Sequence, residues 1–144
     1  MDDLLSCLGF RNGLFVRFAL QVNSAPYSGQ GSETAYRFAR AVLEQGHEVS
    51  RVFFYFDGIY NALGLSGPPD DEKNIVGLWS CLAIEQRIDL VVCVSAAARR
   101  GLASTERTEG FEPQYLVAEG FRISGLGQWV EAGIEADRLL VFGD

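Results

Sequence analysis

Apolar residues in this chain come in short, nearly continuous runs separated by amphipathic stretches. The runs are Val16–Val22, Val49–Phe56, Asp89–Val94, Phe121–Ser124 and Leu139–Phe142, all of strand length. Near-continuous apolarity, clearest in the second and third, marks strands covered on both faces, as in a parallel sheet. Between the runs the spacing changes to three and four residues, the helical period. Ser32 to Gln45 carries Ala35, Phe38, Ala39, Val42 and Leu43, with Ser32 as cap and Gly46 as stop. Glu72 to Arg87 carries Ile75, Leu78, Trp79 and Leu82, with Asp70 or Asp71 as cap. Gly125 to Ala136 carries Leu126, Trp129, Val130 and Ile134. Each set is expected to face the core. A short helix is expected within Ala96–Arg107, and Thr108–Gln114 reads as loop.

Strands alternating with helices predict an α/β fold: a single domain with a five-stranded, mostly parallel sheet flanked by helices, in a flavodoxin-like arrangement. Such sheets gather function at the carboxyl ends of their strands. Here those ends are Asn23–Tyr27, Asp57–Asn61, Cys93–Arg100 and Ser124–Gly127. Residues 1–15 stand outside the pattern. They are either a flexible N-terminal extension or the product of a start upstream of a true one at Val16; residues 16–144 form the domain.

Composition narrows the function. The chain has 144 residues, 48% of them hydrophobic and 22% charged, which suits a folded water-soluble domain. A net charge of −7 disfavours direct binding to nucleic acid or to anionic membranes. The N-terminus opens acidic, unlike a secretory signal, and no apolar run is long enough to span a bilayer. The three cysteines, Cys7, Cys81 and Cys93, are too few and oddly numbered for a disulfide framework. With a single histidine, His47, there is no zinc-ligand spacing. Reduced thiols and the missing signal together predict a cytoplasmic protein.

The candidate chemistry centres on Cys93. A strand delivers this thiol to the sheet edge, a helix is expected to start beside it, and Arg99 and Arg100 follow. Nearby cations and a helix N-terminus favour the thiolate, which is the nucleophilic form. The competing reading is a buried structural cysteine, a common fate for this residue type. Cys81 lies near the apolar stripe of its helix and reads as structural, and Cys7 has no activating context. His47 reads as a turn residue, and Asp70, Asp71 and Glu72 as acidic residues at a helix start rather than a metal site. The segment Ser28–Thr34 follows a strand and precedes a helix, so its amides could cradle phosphate. It lacks both the dinucleotide fingerprint and the P-loop lysine, which favours a plain turn and helix start.

Several short motifs, taken in order, resemble the DsrE/TusD family of small sulfurtransferase subunits. They are Arg17–Gln21 (RFALQ), Ala25–Tyr27 (APY), Ala35–Ala39 (AYRFA), Gly46–Glu48 (GHE), Val52–Gly58 (VFFYFDG) and Tyr60–Asn61. Val92–Val94 (VCV), Ala96–Gly101 (AAARRG), Phe121–Gln128 (FRISGLGQ) and Asp137–Arg138 complete the set. The later segments are more similar to the DsrE side, from sulfur-oxidising bacteria, than to the side that serves tRNA thiolation. The resemblance implies a persulfide carried on Cys93. Arg99 and Arg100 are then expected to support the anion, and Tyr27, Tyr60, Ser124 and Gly125 to shape the entrance. It further implies two homologous subunits in a heterohexamer, a small acceptor protein with a C-terminal cysteine, and neither cofactor nor metal. The rival expectations are a sulfur relay for tRNA 2-thiouridine synthesis, a flavodoxin-like flavin or nucleotide binder using Ser28–Thr34, and a structural subunit whose chemistry lies elsewhere.

Overall fold

The computed structural model describes residues 14–102 and 116–144, so the loop expected at Thr108–Gln114 and nearly all of the expected extension lie outside it. Strand β1 (Arg17–Val22) leads through helix α1 (Gly31–Glu44) to β2 (Glu48–Phe54). A 3₁₀ helix (Phe56–Ala62) and α2 (Ile75–Gln86) lead to β3 (Asp89–Cys93) and α3 (Val94–Arg99). Strand β4 (Phe121–Ser124), α4 (Gly127–Glu135) and β5 (Arg138–Phe142) complete the chain. The sheet is wholly parallel, in the order β4-β3-β2-β1-β5. This is the α/β sheet that the runs predict, but its order differs from the flavodoxin-like one expected: β5, rather than β3, lies beside β1.

Side-chain alternation along the strands explains the two layers. Leu20, Val22, Val52, Phe54 and Leu90 share a core with Ala35, Ala39 and Val42 of α1 and Ile75, Trp79 and Leu82 of α2. Phe53, Val91 and Cys93 belong to a second cluster with Ala96, Ala97 and the half-buried Trp129. The connection from β4 to β5 runs back across the sheet, opposite to the step from β1 to β2. A right-handed crossover then places its helix on the other face.

That helix, α4, departs from the sequence reading. Leu126, Val130 and Ile134 were expected to face inward, yet all three are exposed, Ile134 at 80%. Only Trp129, stacked on Phe53 with ring centroids 5.8 Å apart, and Ala132 turn to the sheet. A polar latch holds the start of α4. Arg51 Nε donates to Asp89 Oδ2 at 2.6 Å, while its Nη1 reaches the Gln128 carbonyl at 2.7 Å and Glu131 at 3.2 Å. Arg122 makes two further bonds to Asp89, at 2.7 and 2.8 Å, and one to Gln128. Arg51 in the middle of β2, with Asp89 and Arg122 at the starts of β3 and β4, therefore sets the helix orientation, and its apolar stripe is left outside.

Two helix starts also differ. Ser32 does not cap α1: the cap position is Gln30, and Ser32 lies buried in the first turn with its hydroxyl bonded to Asn61. Helix α2 begins at Ile75 rather than Glu72, capped by Asn74, whose Oδ1 accepts from the Gly77 amide at 3.0 Å. Asp70 and Asp71 sit in a turn closed by the Glu72 amide on the Pro69 carbonyl, so they cannot cap it. The second strand also stops two residues early, at Phe54, and the chain turns at once into the 3₁₀ helix. Gly58 permits that turn, because a Cβ there would overlap the Val22 carbonyl.

Candidate functional site

The carboxyl ends of β1, β2 and β3 meet under the 3₁₀ helix. Asn61 fixes this segment from within. It has no exposed surface, and its Nδ2 donates to the carbonyls of Ser24 and Gly58, each at 2.9 Å. Its Oδ1 accepts from the Ser32 hydroxyl. One side chain thus ties the exit of β1, the first turn of α1 and the 3₁₀ helix together. A buried polar group with every bond made is a strong positional constraint.

Cys93 ends β3 and occupies the cap position of α3, with extended backbone at φ −62° and ψ 119°. Its register partner on β4 is Ser124. The thiol is only 4% exposed and packs among Phe53, Ile59, Val91 and Ala97. Tyr60 borders the same cluster, half-buried. Gly125 follows Ser124, and among the described residues a Cβ on it would meet no atom within 4 Å. The fold therefore gathers Cys93, Tyr60, Ser124 and Gly125 at one end of the β3–β4 pair.

The arginines separate. Arg100 Nε donates to Asp57 Oδ1 at 2.8 Å and its Nη1 to the Ala96 carbonyl at 3.2 Å. It straps the end of α3 to the 3₁₀ helix. Arg99 is exposed on the other side of the short helix, as the angle between successive helical residues requires. Tyr27 is engaged elsewhere. Its hydroxyl donates to the Lys73 carbonyl at 2.8 Å and accepts from the Ile75 amide at 3.1 Å, bracing the start of α2. Its φ of 72° is unusual for a residue with a side chain.

Cys81 corrects its expectation. It is exposed on the outer face of α2 rather than near the buried stripe. His47 has a structural contact, its Nδ1 accepting from the Val16 amide at 3.2 Å. Among the described residues no three His, Cys, Asp or Glu side chains stand together as metal ligands, and no helix is long and apolar enough to cross a membrane. Sequence reasoning reached Asp57 and Asn61 only as members of a strand end. Apart from Gly58, three residues before Asn61, their partners, Arg100 in one case and Ser24 and Ser32 in the other, lie too far away in the chain for any local pattern to reveal.

The chain was compared with known proteins. Residues 16–142 match the DsrE/DsrF-like family. DsrE of Allochromatium vinosum is 52% identical over 130 residues, covering 90% of this chain and all of the relative. The "Sulfurtransferase TusD homolog" of Vibrio parahaemolyticus is 44% identical over 126 residues, 87% of this chain and 96% of the relative. The "Sulfurtransferase TusD" of Klebsiella pneumoniae is 40% identical over 128 residues, 88% of this chain and all of the relative. Among solved structures, the ychN protein from E. coli has the same fold, with a TM-score of 0.70 over 88% of this chain and 99% of the other, at 23% identity.

Proposed function

Since the chain belongs to the DsrE/DsrF-like family, we propose that it is a sulfurtransferase of the DsrE/TusD type that carries a persulfide on Cys93. The observation that carries this reading is the placement of Cys93, the last residue of β3 and the first of the α3 junction, at the functional end of a parallel sheet. In the first step Cys93 thiolate attacks the outer sulfur of a donor persulfide R–S–SH. The new S–S bond makes Cys93–S–SH, and R–S⁻ leaves. In the second step an acceptor thiolate attacks that outer sulfur, becomes the persulfide, and returns Cys93 as thiolate. No external oxidant or reductant is needed, because sulfane sulfur is exchanged between thiols.

The surroundings supply position and exclusion of water. An anion on Cys93 sits at the positive end of α3. With Cys93 only 4% exposed, a persulfide there is shielded, so transfer requires a docked partner to reach the sulfur across the Tyr60 and Ser124–Gly125 side. Arg100 acts through the strap to Asp57, positioning α3. The exposed Leu126 at the cap of α4 and Val130 and Ile134 within it, with Leu139 and Val141 of β5, make an apolar face of the kind that marks interfaces. This supports packing against homologous subunits in a heterohexamer, with a small cysteine-bearing protein as acceptor. Dissimilatory sulfur oxidation is the favoured setting, because identity to DsrE exceeds that to the TusD proteins quoted.

The test is intact mass after exposure to a polysulfide or persulfide donor, beside Cys93→Ser. A reducible gain of one sulfur atom that is absent from the variant is expected. Stoichiometric gain by Cys93→Ser would end this assignment. Supplying separate acceptors, one from a sulfur-oxidation system and one from a tRNA-thiolation system, distinguishes the two settings by which one is loaded.

A further inference from the structure

The segment Ser28–Thr34 is not used by the persulfide chemistry, yet it holds an anion. The amides of Gln30 and Gly31, at the start of the 14-residue helix α1, donate to Asp144 Oδ1 at 3.1 and 3.0 Å. Free amides and the helix dipole make such a terminus an oxyanion receptor. Ser24 adds a separate indication. It is 5% exposed, and among the described residues its Oγ has no well-formed hydrogen bond. That hydroxyl faces the receptor, since a Cβ on Gly31 would overlap it while standing 3.4 Å from Asp144 Oδ1. The Ser24 hydroxyl, with the Gly31 and Gln30 amides, still lies near enough to hold the Asp144 carboxyl below the usual carboxylate range. A Cβ on Gly29 would likewise overlap the Asp144 carboxylate, so Asp144 sits tight against the backbone on both sides.

We propose that Ser24, Gly29, Gln30 and Gly31 form a binding site for a tetrahedral oxyanion of the phosphate class, which Asp144 occupies as an internal competitor. A carboxylate fills two amides and meets the buried Ser24 hydroxyl only in poor geometry. A tetrahedral anion has an additional oxygen to offer it. Binding then displaces Asp144 and frees the residues that follow β5. A cavity of about 340 Å³ adjoins the site, lined by Tyr27, Gly29, Ser32, Lys73 and the acidic Glu33 and Glu72, with Lys73 paired to Glu33, so the oxyanion is either inorganic or the phosphate of a small ester whose remaining part is uncharged.

Thermal unfolding of the full chain tests this, with sodium phosphate titrated against sodium chloride at equal ionic strength. Removing the competitor in Asp144→Ala should raise phosphate affinity. For a site of about 1 mM, 10 mM phosphate should lift the Tm of this variant by roughly 5 °C above the chloride control. Wild type should shift less, and Asp144→Ala/Ser24→Ala should lose the effect. Equal shifts in all three proteins, or none in Asp144→Ala, would overturn the proposal and leave Asp144 as a fixed helix cap. Should Asp144→Ala not fold, Asp144→Asn decides by the same criterion. Adenosine monophosphate in place of phosphate separates the sources: a larger shift assigns the cavity to an ester, an equal one to the free anion. Sulfur loading on Cys93 does not enter the readout, so this result and that of the mass measurement are independent.

Discussion

Replacing Asn61 by alanine removes three buried hydrogen bonds at once and probes the element that frames the site. The two Nδ2 bonds, to the Ser24 and Gly58 carbonyls, are each 2.9 Å long, and the third comes from Ser32. Asn61 has no solvent exposure, so water cannot take over these partners without opening the fold. A net loss of about 1 kcal/mol per bond, including partners left unsatisfied, gives a destabilisation of about 3 kcal/mol. For a chain of this length that corresponds to a fall in Tm of about 10 °C. Urea unfolding followed by tryptophan fluorescence and far-ultraviolet circular dichroism measures it directly. Asn61→Asp keeps the shape and the acceptor for Ser32 but turns a carboxylate onto two carbonyls, and should cost at least as much. A loss below about 1 kcal/mol in Asn61→Ala, with an unchanged denaturant slope, would refute the account of Asn61 as the constraint that ties β1, α1 and the 3₁₀ helix.

Three further outcomes follow from the same geometry. Burial raises the Asp89 carboxyl, but hydrogen bonds from Arg122 and Arg51, with their charges, outweigh it and hold it below the usual range. A depressed folded value stabilises above the ordinary carboxylate range and is lost as pH falls through the folded value. Asp89→Asn should therefore cost about 2 kcal/mol at pH 7 by urea unfolding, with the gap to wild type closing in acid below pH 4. Gly58→Ala should destabilise by about 2 kcal/mol or more, because its methyl group meets the Val22 carbonyl backbone rather than a movable side chain. Ile134→Arg should change the stability of the isolated chain by less than about 0.5 kcal/mol while weakening co-purification with homologous subunits, and a partner yield equal to wild type would move the interface elsewhere.

The apolar runs by themselves determined the order and type of the elements. Val91, Val92 and Cys93 could be read as a covered strand because strand identity depends on local composition. The same run placed Cys93 at a carboxyl end, and with it the candidate nucleophile and the family's motif order. Tertiary structure decided what depends on contacts distant in the chain. The stripe of α4 has the spacing of a core face, yet Arg51, Asp89 and Arg122 hold the helix with Ile134 outward. Periodicity reports that a face is apolar but not whether the sheet or another protein covers it. Arg99 and Arg100 are neighbours in sequence, but a turn of 100° per residue sends one to Asp57 and leaves the other in solvent. Asn61 and Ser24 became partners, and Asp144 reached the amides of α1, only once parallel pairing had brought the ends of β1, β2 and β5 to one edge. Local composition specifies elements because backbone preference and burial act over a few residues. The site required the sheet to form first, because its long-range hydrogen bonds span from 29 to 114 positions of the chain.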